Sequence, residues 1–558
     1  MMPEEKENMT RIQEKTHVPV LIVGAGPVGM ALAIELGERG IACLIIDETD
    51  GTIGFPTANR ISCRSMEHLR RWGIADEVRY HGFPSDYPIT TLYTTGFDGH
   101  ELVRFEHPAS GAPNARWPTS PESVVWSPKP FFDPILRKKV ASLPSVRLRF
   151  GCQLETFQQS DDQVTVQLTD ISSGDREQVT ADYLIGCDGG KSRIRQQAGI
   201  ELQGRFAQDQ QLAIYFRAPL LEHSPFGRAV QTWILKPDVR ALVVAVNGRD
   251  LWRSGPIGLR REEIDQLTPT EWLRKILGEE IPFEVIATSY WGGHFAVVDR
   301  LRNGRVFLAG DAAHLTWPAG GFGMNTGIGD AVDLGWKLAA TLQGWGGPEL
   351  LDSYDLERRT VEIRNVSGAS DLRAADAYFR LSTEINAQTP EGERLRQYLG
   401  AAIKESPRGR QFATELPGLD LGYTYEDSPL IFSDGTSPLS QDPNVYTPSA
   451  KPGARAPHIW LADGRSTLDL FSQGLTLLRL GKQSPDSHAL QNVAQQRHIP
   501  LQVIDLEQTG ILDLYECQLV LVRPDGHVAW RANELSVAPH VLLDRVCGFP
   551  AQEELLSL

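Results

Sequence analysis

The segment Gly24-Ala-Gly-Pro-Val-Gly29 constrains the fold more than any other, because it follows the apolar run Val18 to Val23 and opens the helical pattern Gly29 to Arg39. A glycine turn between a strand and a helix is what a dinucleotide phosphate requires. Gly24 permits the tight turn, Gly26 lets backbone amides approach a pyrophosphate with Pro27 opening the helix, and Gly29 lets helix and strand pack. The helix N-terminus then faces the phosphate charge. A second apolar run, Ala42 to Ile46, leads into Asp47 and Glu48, acids placed to meet ribose hydroxyls.

Two further glycine-rich segments follow. Ala181-Asp-Tyr-Leu-Ile-Gly-Cys-Asp-Gly189 reads as a strand ending in an Asp-Gly turn at Asp188. Arg305-Val-Phe-Leu-Ala309 reads as a buried strand, Gly310-Asp311 as its terminal turn, and Asn325 onward as a helix with apolar positions Ile328, Val332, Trp336 and Leu338.

These three motifs, in this order, resemble those of the group A flavoprotein aromatic monooxygenases, the para-hydroxybenzoate hydroxylase fold. The likeness is strongest to the phenol hydroxylase and 2,4-dichlorophenol hydroxylase branch, and it covers nearly the whole chain. It implies noncovalent FAD as cofactor, NADH or NADPH as reductant, dioxygen, and a phenolic or polycyclic aromatic substrate hydroxylated through a flavin C4a-hydroperoxide. It also implies roles: Asp311 for the ribityl chain, the Met324 and Asn325 amides for the flavin pyrimidine, and Asp188 and Gly189 for FAD and the nicotinamide nucleotide. A helix N-terminus beside the flavin would stabilise the negative charge of its reduced form. Baeyer–Villiger oxidation and oxidative dehalogenation use the same scaffold and stand as alternatives, as does a flavin-binding protein without turnover.

For the chemistry at the ring, registering on Arg64-Ser-Met-Glu67 puts Asn59 where the family has an active-site Asp. Asn is no general base, so Asn59 is left to orient a substrate hydroxyl. Tyr290, His294 and His314 are the remaining candidates for a base. The branch's catalytic Tyr falls near Tyr290, although Tyr290-Trp291 reads equally well as core aromatics, and His314 as structural. Gln231 and Trp233 share one strand face and are candidates to line the ring site, with a packed sheet face as the other reading.

Departures from the family matter here. Pro56-Thr57 replaces Pro-Arg, which leaves Arg64 or Arg60 to supply a cation near the pyrophosphate. Lys129 stands where a Gln contacts FAD. The flavin loop reads Trp317-Pro318-Ala-Gly-Gly321-Phe322-Gly323, with two large apolar side chains that favour a hydrophobic, bulky substrate. No arginine-plus-tyrosine set for a benzoate carboxylate can be assigned, although Arg217 and Arg240 keep a carboxylate-bearing substrate open.

At 558 residues the chain is too long for one core. The expected α/β architecture is a Rossmann-like FAD-binding domain (17–92, 127–205 and 296–425) with an inserted antiparallel-sheet substrate domain (93–126 and 206–295). A disordered tail, 1–16, precedes it. A Pro- and Ser-rich linker, 426–452, leads to a C-terminal domain, 453–558, that resembles the branch's thioredoxin-like α/β domain. It has no CxxC, so a structural or homodimer-forming role is expected of it. A formal net charge of -16 argues against nucleic acid and anionic membranes. No apolar run approaches transmembrane length. Six cysteines without metal-ligand or CxxC spacing fit a reducing cytoplasm and no bound metal.

Overall fold

The computed structural model describes residues 16–206, 210–224, 226, 228–375 and 381–550. Apart from Thr16, the expected N-terminal tail lies outside the described residues.

A parallel sheet forms the first layer. Its strands run in the order Val306–Leu308, Arg176–Gly186, Thr16–Val23, Cys43–Ile46, Val146–Arg149, with an antiparallel hairpin, Cys152–Gln159 and Val164–Asp170, on one side. The apolar runs read as strands are fully covered: Val20, Leu21 and Ile22 are buried, as parallel strands with both faces covered must be. The helix Pro27–Glu38 is buried from Gly29 to Gly37 and lies against the long helix Phe322–Leu342. A Cβ on Gly335 would sit 2.6 Å from Glu35 Cβ, so a small residue is what allows this close crossing.

The second layer is a seven-stranded sheet ordered Glu284–Gly292, Gln210–Arg217, Leu251–Pro256, Val239–Ala245, Gln231–Lys236, Ile89–Thr94, Glu101–His107. Only the pairing of Gln231–Lys236 with Ile89–Thr94 is parallel. The expected boundary at residue 92 would divide Ile89–Thr94, which belongs whole to this sheet. One face is sealed by the helix Pro269–Leu277, whose Trp272, Leu273 and Ile276 pack with Ile214, Phe216, Ile234 and Val243. The other face turns toward the first layer. Its outer end is covered by Pro390–Glu405 and Pro407–Thr414, and its inner end forms the wall of a cleft.

The C-terminal domain is a four-stranded sheet, Leu501–Leu506, Leu475–Leu480, Leu519–Val522, Val528–Ala532, with helices His488–Gln496 and Pro539–Cys547. It shares a core with the first layer: Trp336 and Trp345 stack at 6.2 Å and pack with Leu475, Leu519 and Leu542. Among the described residues no helix is long and apolar enough to cross a membrane.

Candidate active site

The cleft begins at the end of Thr16–Val23. Gly24 has φ 105°, and a side chain there would be driven into the Cys187 carbonyl, so the first turn and the Asp188 turn stand back to back. Gly26 caps the first helix in extended conformation with Pro27 at its first position, and a Cβ on Gly26 would meet nothing within 4 Å. The space before this helix N-terminus is therefore open to a phosphate. Asp47 is held from two sides: Oδ2 accepts the Ala25 N–H at 2.7 Å, and Oδ1 accepts the Thr49 N–H at 2.9 Å. Its neighbour Glu48 is exposed and accepts from Gln153, so the structure commits only Asp47 to the turn.

Asp188 caps the short helix Arg193–Gln197: Oδ2 accepts the Arg193 and Ile194 N–H groups at 2.8 and 3.1 Å. Its Oδ1 is buried with no partner among the described residues, and burial raises the carboxyl pKa. Arg195, which sequence reasoning passed over inside the same motif, ties this turn to the next by donating to the Ala312 and Gly190 carbonyls, both at 3.0 Å.

Gly310 (φ 63°) and Asp311 form the third turn. Asp311 is reached by solvent through the cleft, yet the atoms crowding it raise its pKa by desolvation, against the opposing charges of His314 and Lys129. A Cβ on Gly323 would lie 3.8 Å from Asp311 Oδ1, so the start of the long helix overhangs this carboxylate. Gly321 caps that helix in the left-handed region (φ 72°), a conformation that favours glycine. The Asn325 side chain is fully used: it donates to the Arg60 and Gly321 carbonyls at 2.9 and 2.7 Å and accepts the Ser62 N–H at 2.9 Å. Its side chain is thus a staple between two loops, leaving the backbone amides of Met324 and Asn325 for the role the family implies. Pro318 is exposed on the same loop.

Beneath this turn lies a buried polar cluster. The Gly310 N–H and His314 Nε2 donate to Asp330 Oδ2 at 3.1 and 3.0 Å, and Arg358 Nε donates to Asp330 Oδ1 at 2.9 Å. Glu362 is fully buried beside it, with no hydrogen-bond partner for either oxygen among the described residues. His314, Asp330 and Glu362 have metal-ligand chemistry and proximity, but Asp330 is already shared between His314, a backbone amide and a guanidinium. His314 is thereby a structural residue.

The far wall of the cleft comes from the seven-stranded sheet. Tyr215 meets Phe55 edge-on at 6.1 Å, Arg253 donates to the Pro56 carbonyl at 3.0 Å, and Trp291 meets Trp317 at 5.0 Å. Between these walls runs the loop Phe55–Asn59. Ala58 holds a left-handed φ of 43°, and Ser127 and Lys129 donate backbone N–H groups to the Asn59 and Ala58 carbonyls at 2.8 and 3.1 Å. Strain of this kind persists where surrounding structure imposes it. The Asn59 side-chain oxygen is buried without a partner among the described residues. Lys129 pairs with Asp133 at 2.9 Å and remains within electrostatic reach of Asp311.

Several expected site residues stand elsewhere. Tyr290 is 52% exposed and lies on the opposite sheet face from Trp291, as strand alternation requires. Trp233 is buried under the covering helices, stacked on Tyr93 at 5.5 Å and against Phe412, whereas Gln231 is partly exposed and stays on the sheet face of Arg253, in register with it through Val244. Phe322 packs into a small core with Ala369, Leu372, Leu416 and Leu419, against which Trp317 also lies. His294 sits against Phe206 with ring centroids 5.6 Å apart. Arg64 turns away to Glu67 (2.7 Å) and the Asp525 carbonyl (2.7 Å), and Arg60 donates to the Glu415 carbonyl. Sequence reasoning missed Arg253 and Tyr215; their alternation on strands facing the cleft becomes a signal only once the covered face is known.

Two helix N-termini, a partnerless buried oxygen on Asp188, an open approach at Gly26 and a carboxylate at Asp311 match the needs of a flavin dinucleotide. Residues 17–369 match the FAD binding domain family, and residues 449–550 match the aromatic-ring hydroxylase C-terminal family. The chain belongs to this family of FAD-dependent aromatic monooxygenases. It is 30% identical to FAD-dependent monooxygenase apdD of Emericella nidulans, over 96% of this chain and 90% of the relative. It is 29% identical to phenol 2-monooxygenase of a Pseudomonas species, over 96% of this chain and 94% of the relative. Among solved structures, RebC soaked with chromopyrrolic acid and holding 7-carboxy-K252c superposes with a TM-score of 0.89 at 38% identity, covering 96% of this chain and all of that one.

Proposed function

We propose that this enzyme hydroxylates a bulky, polycyclic aromatic substrate that carries an anionic group, at the expense of NADH or NADPH and dioxygen. The observation that carries the reading is Arg253. It stands on the cleft-facing side of the sheet, burial lowers its pKa to about 10, and no carboxylate pairs with it among the described residues. A desolvated guanidinium without a counter-ion is a site for a carboxylate or phenolate. Around it Tyr215, Phe55, Trp291 and Trp317 supply aromatic walls suited to fused rings. The carboxylated ligand held by RebC, 7-carboxy-K252c, fits the same chemistry.

When bound, FAD supplies hydride acceptance and dioxygen activation. The chain's own residues do the rest. Asp47 and the Gly24–Gly29 turn hold the adenosine end, Asp311 the ribityl chain, and the N-terminus of Phe322–Leu342 the electronegative edge of the ring. Asn59 orients a substrate hydroxyl through its partnerless oxygen, and the Trp291–Trp317 pair excludes water from the reacting face. The described residues hold one glycine-rich dinucleotide turn, at Gly24–Gly29, so the nicotinamide nucleotide meets the flavin transiently. The six cysteines, all unpaired, fit a reducing cytoplasm. We expect a homodimer, which sedimentation measures directly.

The test is oxygen uptake with NADH and with NADPH against a panel of fused-ring phenols, each with and without a carboxylate, followed by product mass. The expected outcome is a product one oxygen heavier from a carboxylated polycycle, with nicotinamide oxidation accelerated at least about tenfold by that substrate. Turnover of simple phenols alone, or equal rates with and without the carboxylate, overturns the substrate reading.

A further inference from the structure

The sequence run Leu519 to Trp530 in the C-terminal domain contains Arg523-Pro-Asp-Gly-His527, a polar turn that no part of the chemistry above uses. Its arginine is fully buried. Arg523 grips Glu357 with both terminal nitrogens, at 2.6 and 2.8 Å, donates to Asp333 Oδ1 at 3.1 Å, and is braced by Asp525 at 2.6 Å. Lys337 completes the group, 2.7 Å from both Asp333 and Glu357. Trp336 and Tyr425 lie under the guanidinium at 5.2 and 5.1 Å.

Placement gives this cluster its meaning. Asp333 and Lys337 belong to the long helix Phe322–Leu342, and Glu357 to its neighbour Ser353–Ala375. The same two helices meet again next to it, where Arg358 binds Asp330, and Asp330 in turn holds the Gly310 amide and His314 of the turn that presents Asp311. Arg358 also donates to the Thr326 carbonyl at 3.0 Å, in the first turns of the long helix. The two polar contacts therefore sit side by side on one helix pair, one facing the C-terminal domain and the other facing the cofactor cleft.

We propose that Arg523 is a positioning residue for the FAD site, by which the C-terminal domain clamps the helix Phe322–Leu342 onto Ser353–Ala375 and so sets where the Gly310–Asp311 turn and the helix N-terminus stand. The charge balance supports it. Arg523 and Lys337 face three carboxylates, Asp333, Glu357 and Asp525, with His527 beside Asp525 at 3.3 Å. Removing Arg523 leaves three buried carboxylates against one lysine, an uncompensated charge that weakens the contact between the two helices. A merely adhesive domain contact has no such route to the cleft.

The experiment measures the FAD dissociation constant and the visible circular dichroism of bound flavin in the full-length chain, for wild type, Arg523→Met, Arg523→Lys, Glu357→Gln and Asp469→Asn, each well below its unfolding temperature. Asp469 pairs with Arg70 at 2.6 Å on the exposed rim between the same two domains and serves as the control. The expected result is FAD binding at least tenfold weaker with an altered flavin band in Arg523→Met, partial recovery in Arg523→Lys, weakening in Glu357→Gln, and wild-type values in Asp469→Asn. Wild-type affinity and band in Arg523→Met, or an equal loss in Asp469→Asn, overturns the proposal. Should Arg523→Met fail to fold, Arg523→Lys and Glu357→Gln decide: wild-type FAD affinity in both overturns it.

Discussion

A methyl group on Gly29 would be driven into the carbonyl oxygen of Gly24, and its next contact would be Cys187 Cβ at 3.4 Å. The first turn of the helix thus rests directly on the backbone of the turn before it. Gly29→Ala is expected to displace the helix N-terminus from the phosphate position, cost about 1 to 3 kcal/mol of stability or more, and abolish FAD retention. Flavin content after purification, read beside the thermal midpoint, checks this; a yellow Gly29→Ala protein of wild-type stability would show that the backbone has room to give.

Asp311→Ala should leave a soluble fold with weakened FAD binding. The carboxylate is crowded and solvent-reachable and faces Lys129 and His314 electrostatically. Charge-assisted hydrogen bonds of about 1.5 to 3 kcal/mol predict a loss of roughly ten- to a hundredfold in affinity. Fluorescence titration of FAD measures it, and unchanged affinity would give Asp311 another role.

Stability should fall as pH rises from about 6.5 to 9. Burial works against a charged His314, but the hydrogen bond and charge of Asp330 outweigh it and raise the pKa to about 9. A histidine raised in the folded state gives its full contribution below its unfolded pKa and loses it as pH climbs through the folded one. Glu362 adds to the slope: burial and repulsion from Asp330 raise its carboxyl to about 8, so the native state also holds this proton more tightly than the unfolded chain. His314, Asp330, Arg358 and Asp355 are the charged groups acting on it. Glu362→Gln should therefore gain stability relative to wild type above pH 8 and show a shallower decline. Denaturant titrations at pH 6, 7.5 and 9 test this, and parallel curves for the two proteins would remove Glu362 from the balance.

Tyr290→Phe is expected to keep kcat/KM within about twofold of wild type, since the ring is half exposed on the sheet face away from the cleft. General bases contribute roughly a hundredfold or more. A loss of that size in steady-state oxygen uptake would return Tyr290 to the chemistry.

What the chain reveals on its own is the cofactor cradle, and the reason is locality. Gly24, Gly26 and Gly29 belong to one contiguous turn, as do Asp188 with Gly189 and Gly310 with Asp311, so the requirement for left-handed backbone, open approach or a terminal carboxylate is written within a few residues. The α/β class is legible for the same reason, since parallel strands covered on both faces are continuous apolar runs; the thioredoxin-like character of the tail rests on the family resemblance. The substrate wall is different. Alternation says that Tyr290 and Trp291 point opposite ways, and that Gln231 and Trp233 point the same way. It does not say which face the helices cover. Tertiary packing decided that, by laying Pro390–Glu405 and Pro407–Thr414 over Trp233 and leaving Tyr215, Arg253 and Trp291 to the cleft. Packing likewise drew Arg64 and Arg523 into domain contacts with partners 461 and 166 residues away. A charged side chain takes whichever buried counter-charge the fold brings near, and that neighbour is settled by the whole chain's packing rather than by any local spacing.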